Sequence, residues 1–435
     1  MGLNDTPKGE RVHIALFGKR NAGKSSLINA ITNQKLAIVS EVKGTTTDPV
    51  YKAMELLPLG PVMMIDTPGL DDEGTLGEQR IEKAMEVLRK TDIALLVVDA
   101  ETAMKEKQEE AFLKEEKKIL ELVKQRNIPY LVVWNKIDVL EDAEGNETIS
   151  IKKLEEITQL ELGVKEDSIC AVSTTTNDGI HTLKEMIAEQ LPEEEELHLV
   201  ADLLKPSDFV VLVVPIDKAA PKGRLILPQQ QAIRDILEAD AISIVTKENE
   251  LKQTLEHLGK KPKMVITDSQ AFEQVAEDTP KDVLLTSFSI LMARYKGDLT
   301  ALVKGAFAVE KLKDGDRILM AEGCTHHRQC DDIGTVKIPR WLSAHTGKKL
   351  YFEATNGTGY PKDLSEYAMI IHCGGCMLNR KEMKYRIAKA KEQGIPIVNY
   401  GVLIAYMKGI LERSIQVFPE VLVEIEEMEE IIEEC

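Results

Sequence analysis

Two sets of residues have the types and spacing to do chemistry. The first opens with Gly18-Lys19-Arg20-Asn21-Ala22-Gly23-Lys24-Ser25, which fits G-x-x-x-x-G-K-S between the apolar run Val12 to Phe17 and the helix-forming Ser26 to Ala30. Such a loop curls so that backbone N–H groups and a helix N-terminus face phosphates, with Gly18, Asn21, Ala22, Gly23, Lys24, Ser25 and Ser26 as contacts. Lys24 adds positive charge at the β/γ oxygens, and Ser25 adds a hydroxyl for Mg²⁺. Asp66-Thr67-Pro68-Gly69 follows the run Val62 to Ile65, where Asp66 can hold Mg²⁺ through water and the Gly69 N–H can sense a γ-phosphate. Asn135-Lys136-Ile137-Asp138 closes the run Leu131 to Trp134, and the Asp138 carboxylate can accept the N1–H and N2 amine of guanine. Adenine lacks that donor pair and would leave the carboxylate unsatisfied, so the nucleotide is GTP/GDP. Ser173-Thr174, after Ile169 to Val172, sits where a last loop can pack under the base, and Gly44-Thr45-Thr46-Thr47-Asp48 offers hydroxyls for the metal shell of a switch loop.

The second set is sulfur. Of six cysteines, Cys324, Cys330, Cys373 and Cys376 fall in one late segment, too few in so long a chain for a disulfide framework. Cys324-Thr325-His326 ends one β-rich run and His372-Cys373-Gly374-Gly375-Cys376 ends another, an arrangement that can converge at the carboxyl ends of neighbouring strands. Thiolate and imidazole suit structural zinc and iron–sulfur equally well on residue chemistry alone. A redox dithiol at Cys373 and Cys376 would leave Cys324 idle.

The elements that must position these groups alternate β-rich runs with helical periods from Arg11 to about Leu191, as βαβ units do. The fold class is therefore α/β: a phosphate-loop domain with a mostly parallel sheet, followed by two smaller α/β domains. Pro192 and the acidic run Glu193 to Glu196 mark the first boundary. Beyond it, Phe209 to Pro215, Ala241 to Val245, Met264 to Ile266 and Val283 to Leu285 read as strands, with a helix over Pro228 to Leu237. From about Leu291 the pattern resumes with Arg317 to Met320, Lys349 to Phe352, Tyr367 to Ile371 and Ile395 to Asn399, and a helix over Arg380 to Gln393. Leu422, Ile425, Met428 and Ile432 line one face of an acidic terminal helix.

Composition narrows the function classes. The 435 residues are 43% hydrophobic and 29% charged, which excludes disorder as the main state, and the net charge of −18 disfavours nucleic acid as a partner. The longest apolar run, Phe209 to Ile216, is far short of the ~20 residues of a membrane helix. The first residues carry no basic region ahead of an apolar core, so the expectation is a cytoplasmic protein without a membrane partner.

The nucleotide motifs resemble those of the MnmE, Era and Der branch of bacterial GTPases, whose Gly-Thr-Thr-Arg-Asp switch matches Gly44 to Asp48 except that Thr47 replaces Arg. That resemblance implies hydrolysis of GTP to GDP and phosphate, with Lys24, Asn21, Thr46 and Gly69 as its catalytic groups and Thr46 as a Mg²⁺ ligand beside Ser25. Leu70 stands where Ras-like proteins carry a water-orienting glutamine, which implies slow intrinsic turnover. In cation-dependent members an asparagine at the position of Asn21 holds K⁺, which implies K⁺ stimulation.

Over essentially the whole length, a GTPase followed by a middle α/β domain and then C-x-H … H-C-x-x-C resembles the HydF family of FeFe-hydrogenase maturation GTPases. The resemblance implies a GTP-binding domain over 8–192, a dimerisation domain over 198–290 and an iron–sulfur domain over 291–435. It further implies a 4Fe-4S cluster on Cys324, Cys373 and Cys376. His326 is the favoured fourth ligand, with His327, His372, Cys330 and Asp331 as the other candidates. The implied function is that of a homodimeric scaffold that carries the two-iron precursor of the hydrogenase active site from radical SAM maturases to the FeFe-hydrogenase apoprotein. The rival reading is an RNA-modification or ribosome-assembly GTPase of the MnmE, Era and Der type with a structural zinc site, against which the acidic charge argues.

Overall fold

Apolar runs such as Ile93–Asp99 and Tyr130–Asn135 become strands because both of their faces are covered, as a parallel sheet flanked by helices requires. Successive side chains alternate between those faces: Ala94, Leu96 and Val98 enter one apolar cluster, and Ile93, Leu95 and Val97 the other. The protein, a computed structural model, is described over residues 6–33, 48–69, 83–106, 112–140, 150–191, 197–216, 225–323, 332–357 and 359–424. Thr46, Leu70, Cys324, His326, His327, Cys330 and Asp331 lie outside the described residues, as does the terminal helix beyond Glu424.

The chain divides into two units, one of residues 10–195 and one of 1–9 with 196–435. The first holds β1 (Val12–Phe17), β2 (Val50–Leu56), β3 (Gly60–Asp66), β4 (Ile93–Asp99), β5 (Tyr130–Asn135) and β6 (Ile169–Ala171) in the order β2-β3-β1-β4-β5-β6. All pair in parallel except β2, which runs antiparallel to β3 from Val50 opposite Asp66 to Leu56 opposite Gly60. Sequence periodicity does not mark β2, because its side chains are largely exposed and so carry no apolar run.

The second unit holds two sheets, each of four parallel strands. One has β7 (Phe209–Val213), β8 (Ile242–Thr246), β9 (Met264–Thr267) and β10 (Leu284–Ser287) in the order β10-β9-β7-β8. The other has β11 (Arg317–Ala321), β12 (Tyr351–Thr355), β13 (Met369–His372) and β14 (Ile397–Asn399) in the order β12-β11-β13-β14. One continuous apolar cluster runs through both, taking in Val211 and Ile266 of the first sheet and Leu319 and Ile370 of the second. Helix Phe288–Lys296 belongs to this shared core through Ile290, Leu291 and Met292.

At the carboxyl ends of the strands the chain turns into helices with polar caps. Ser287 Oγ accepts from the Ile290 N–H, Asn379 Oδ1 from Glu382 and Asn399 Oδ1 from Val402, so each helix start is satisfied close to a strand end. That edge carries the glycine–cysteine loop between β13 and helix Arg380–Glu392.

Candidate functional site

In the first unit, the loop after β1 reaches helix Lys24–Thr32 through Asn21 and Gly23 in left-handed backbone, at φ 58° and 89°. Gly23 is required by contact as well, since a Cβ there would lie 2.1 Å from Asn135 Nδ2. Lys24 is buried, and its Nζ donates to the Gly18 carbonyl at 2.9 Å and the Lys19 carbonyl at 2.8 Å, which curls the loop around its ammonium group. Ser25 Oγ donates to Asp66 Oδ2, so the two groups expected around Mg²⁺ are already in contact. Burial pushes the Asp66 carboxyl above its ordinary value, opposed by the Ser25 hydrogen bond and the Lys24 charge. Thr67 Oγ1 anchors the following turn on the Leu16 carbonyl at 2.5 Å, placing Gly69 at the end of the described segment. Asn21 is exposed at the rim of the loop.

The base side comes from β5 and β6. Asn135 is fully buried, and its Nδ2 donates to the Ala22 carbonyl at 2.9 Å. Lys136 adopts φ 64° and its Nζ reaches Asp99 Oδ2 at 2.6 Å. Ser173 Oγ donates to Asp138 Oδ1 at 2.6 Å and itself accepts the N–H groups of Thr175 and Thr176 at 3.2 and 3.1 Å. Thr174 lies within this Ser173 turn, and Ser26 in the first turn of helix Lys24–Thr32. Asp99 is not among the residues that motif spacing nominates. It ends β4, and the available signal is an acidic residue at the carboxyl end of a central strand.

In the second unit, Cys373 and Cys376 are half-buried thiols, in no disulfide among the described residues, on the loop that follows β13. The Cys373 sulfur accepts the N–H of Gly323 at 3.0 Å and of Gly375 at 3.4 Å, donors that favour a thiolate. His372 is buried with both ring nitrogens engaged: Nδ1 meets the Cys373 carbonyl at 2.6 Å and Nε2 meets Arg386 Nη1 at 3.0 Å. The arginine can only donate, so Nε2 accepts and Nδ1–H donates to the carbonyl. Burial and the Arg386 charge lower the His372 pKa to about 3, keeping the ring neutral. Both ring nitrogens of His372 are thus occupied by protein partners in this structure.

Arg386 is itself buried, donating to Glu382 Oε1 at 2.9 Å and the Gly357 carbonyl at 2.6 Å, with its guanidinium 5.1 Å from the centre of the Tyr360 ring. Lys296 ends helix Phe288–Lys296 and donates to the Cys376 and Leu378 carbonyls at 3.1 and 2.8 Å. Gly9 packs on the same spot, where a Cβ would lie 2.6 Å from the Leu378 oxygen. Tyr400 and Glu322 are buried nearby, the phenol donating to Glu322 Oε1 at 3.4 Å. Burial first, then the charges of Cys373 and Glu322, push the phenol far up, so it stays protonated. Lys296, Arg386 and Glu382 escape sequence reasoning because lysine, arginine and glutamate on helices read as solvated surface. Among the described residues no three His, Cys, Asp or Glu side chains are grouped as metal ligands, Cys324 and His326 lying outside them. The donor set fits a soft metal: two thiols flank two glycines, and backbone N–H groups point at one sulfur.

Residues 13–136 match the family model described as 50S ribosome-binding GTPase. The tRNA modification GTPase MnmE of Desulforamulus reducens is 28% identical over 253 residues, 58% of this chain and 47% of that protein. The GTPase Era of Thermosipho melanesiensis is 32% identical over 209 residues, 47% of this chain and 64% of that protein. The chain thus spans about half to less than two thirds of the length of these relatives. The crystal structure of an Aquifex aeolicus Era variant bound to GDP.AlF4- is 21% identical, covering 57% of this chain and 98% of that one at a TM-score of 0.34, too low for residue-by-residue comparison. By its loops, sheet order and family match, the first unit is a P-loop GTPase domain. Residues 199–297 match the hydrogen maturase F dimerization domain and residues 300–417 the hydrogen maturase F tetramerization domain. The chain belongs to the hydrogen maturase F family, HydF. It carries oligomerisation domains, and no described helix is long and apolar enough to cross a membrane.

Proposed function

We infer that this protein hydrolyses GTP and serves as a scaffold that carries the two-iron precursor of the FeFe-hydrogenase active site to the apo-hydrogenase. The observation that carries this reading is the cysteine loop of a hydrogen maturase F chain, where Cys373 and Cys376 flank two glycines and backbone N–H groups donate to the Cys373 sulfur. Cys373 and Cys376, with Cys324, would hold a 4Fe-4S cluster, and His326 is the favoured fourth ligand now that the His372 nitrogens are both in use. A cluster held by three cysteines supplies one exchangeable iron position to which the cargo can attach. The cargo comes from radical SAM maturases, and the working form is a homodimer or a higher assembly of it, in keeping with the two oligomerisation domains.

On the nucleotide side, Lys24, now on its loop carbonyls, would meet the β/γ oxygens of GTP, and Ser25, now on Asp66, would hold Mg²⁺ with Thr46 as a second ligand. Asp66 would hold Mg²⁺ through water, Asn21 would hold K⁺, whose charge would stabilise the phosphates, and Asp138, braced by Ser173, would select guanine. Hydrolysis acts as a switch on domain or partner contacts.

The test is anaerobic reconstitution with iron and sulfide, followed by electron paramagnetic resonance of the reduced protein beside Cys324→Ala and Cys376→Ala. A cluster signal lost in both variants is expected. Tightly held zinc with no iron uptake would refute the carrier reading.

A further inference from the structure

The cysteine loop rests on two buried cations that reach it from different helices. Arg386 touches it through His372 and is ion-paired with Glu382 at 2.9 Å. Lys296 touches it directly: only 2% exposed, it donates to the Cys376 and Leu378 carbonyls, which lie between the second cysteine and helix Arg380–Glu392. A neutral amide could donate to those carbonyls without the cost of stripping water from an ammonium group. The Lys296 ammonium group lies 3.1 Å from the carbonyl oxygen of Cys376 itself, so its charge acts at short range on whatever negative charge the sulfurs of this loop carry.

We propose that Lys296 is a positioning residue of the cysteine loop whose buried charge stabilises the anionic sulfur centre held there and raises its reduction potential. The proposal rests on the reading of an iron–sulfur cluster at Cys373 and Cys376. Lys296 lies in the segment matched as the dimerization domain, whereas both cysteines lie in the segment matched as the tetramerization domain. The centre therefore draws on both domains, which the shared core holds in register. Reduction adds negative charge to the cluster, so a fixed cation at its base favours the reduced form.

The experiment compares Lys296→Gln, which keeps N–H donors without the charge, with Lys296→Arg, which keeps the charge. Full-length protein is reconstituted anaerobically with iron and sulfide, titrated potentiometrically under electron paramagnetic resonance, and challenged with an iron chelator. In the Gln variant the midpoint moves to more negative potential and iron affinity falls roughly 10–100-fold, while the Arg variant stays close to wild type. A Gln variant with the wild-type midpoint overturns the proposal while leaving the cluster intact. Failure of the wild type to take up iron and sulfide is a different result, and refutes the cluster reading along with this one. Should the Gln variant not fold, Lys296→Met, which fills the space of the lysine stem, takes its place under the same criteria.

Discussion

Asn135 Nδ2 donates to the Ala22 carbonyl at 2.9 Å, joining residues 113 positions apart in the chain. The end of β5, which leads into Asp138, the proposed base reader, thereby also holds the loop proposed to take the phosphates. The segments proposed for the two ends of the nucleotide are thereby braced against one another.

Asp138→Asn separates base reading from phosphate binding. A carboxylate that accepts two donors of guanine contributes roughly 1.5–3 kcal/mol per bond, so GTP affinity falls by about 100-fold or more. Asparagine presents one donor and one acceptor, which suits a purine with a carbonyl at C2, and xanthosine triphosphate gains over GTP. Competition titration against a fluorescent nucleotide reads both. Unchanged GTP affinity would remove Asp138 as the guanine acceptor.

Arg386 and Glu382 form an ion pair in which each side chain is 1% exposed. Arg386→Met leaves the Glu382 carboxylate buried without its partner and lowers stability by about 3–5 kcal/mol. The double variant Arg386→Met with Glu382→Leu recovers part of that loss, because no charge remains to be desolvated while His372 Nε2 and the Gly357 carbonyl stay without their donor. Urea unfolding followed by Trp341 fluorescence in a Trp134→Phe background reads the second unit alone, since those are the two tryptophans of the chain. A single variant within about 1 kcal/mol of wild type would contradict the buried-pair description.

Asp298 caps helix Leu299–Phe307 by accepting the Ala301 N–H at 2.9 Å and meets Lys391 Nζ at 2.6 Å. Burial raises its carboxyl, but the Lys391 hydrogen bond, the Ala301 N–H and the Lys391 and Lys304 charges outweigh that and hold it below the ordinary 3.8. A depressed native pKa gives stability that is present above the unfolded value and lost as pH falls through the native one. Asp298→Asn, which keeps a capping oxygen, is therefore less stable than wild type at pH 7 by up to about 1 kcal/mol, given the partial exposure of the pair. The gap closes as the pH falls below about 4. Asp298→Ala loses about 1 kcal/mol more with the cap. Thermal melts from pH 7 to pH 3 check the sign, and a gap that widens in acid would refute it.

The legible part of this protein is the part whose chemistry is contiguous. Residues 18–25 curl round a phosphate by local backbone rules, and the strands that end at Asp66 and Asn135 announce themselves because both of their faces are apolar. The α/β class and the phosphate-loop domain follow from that local patterning, and so does the clustering of Cys373 and Cys376 about two glycines. Strand β2, half in solvent, leaves no such trace.

The tertiary structure decided what supports those motifs. Asp99 meets Lys136, Arg386 meets His372 and Lys296 meets the Cys376 carbonyl, pairings separated by 37, 14 and 80 residues. A charged side chain on a helix has the same local pattern whether it points to water or into a core, and only packing sets which. Packing also engaged both nitrogens of His372 with partners no spacing rule would nominate, the Cys373 carbonyl and Arg386. Motif spacing thus determined which chemistry is possible, and burial among distant neighbours decided which charges and lone pairs are available to perform it.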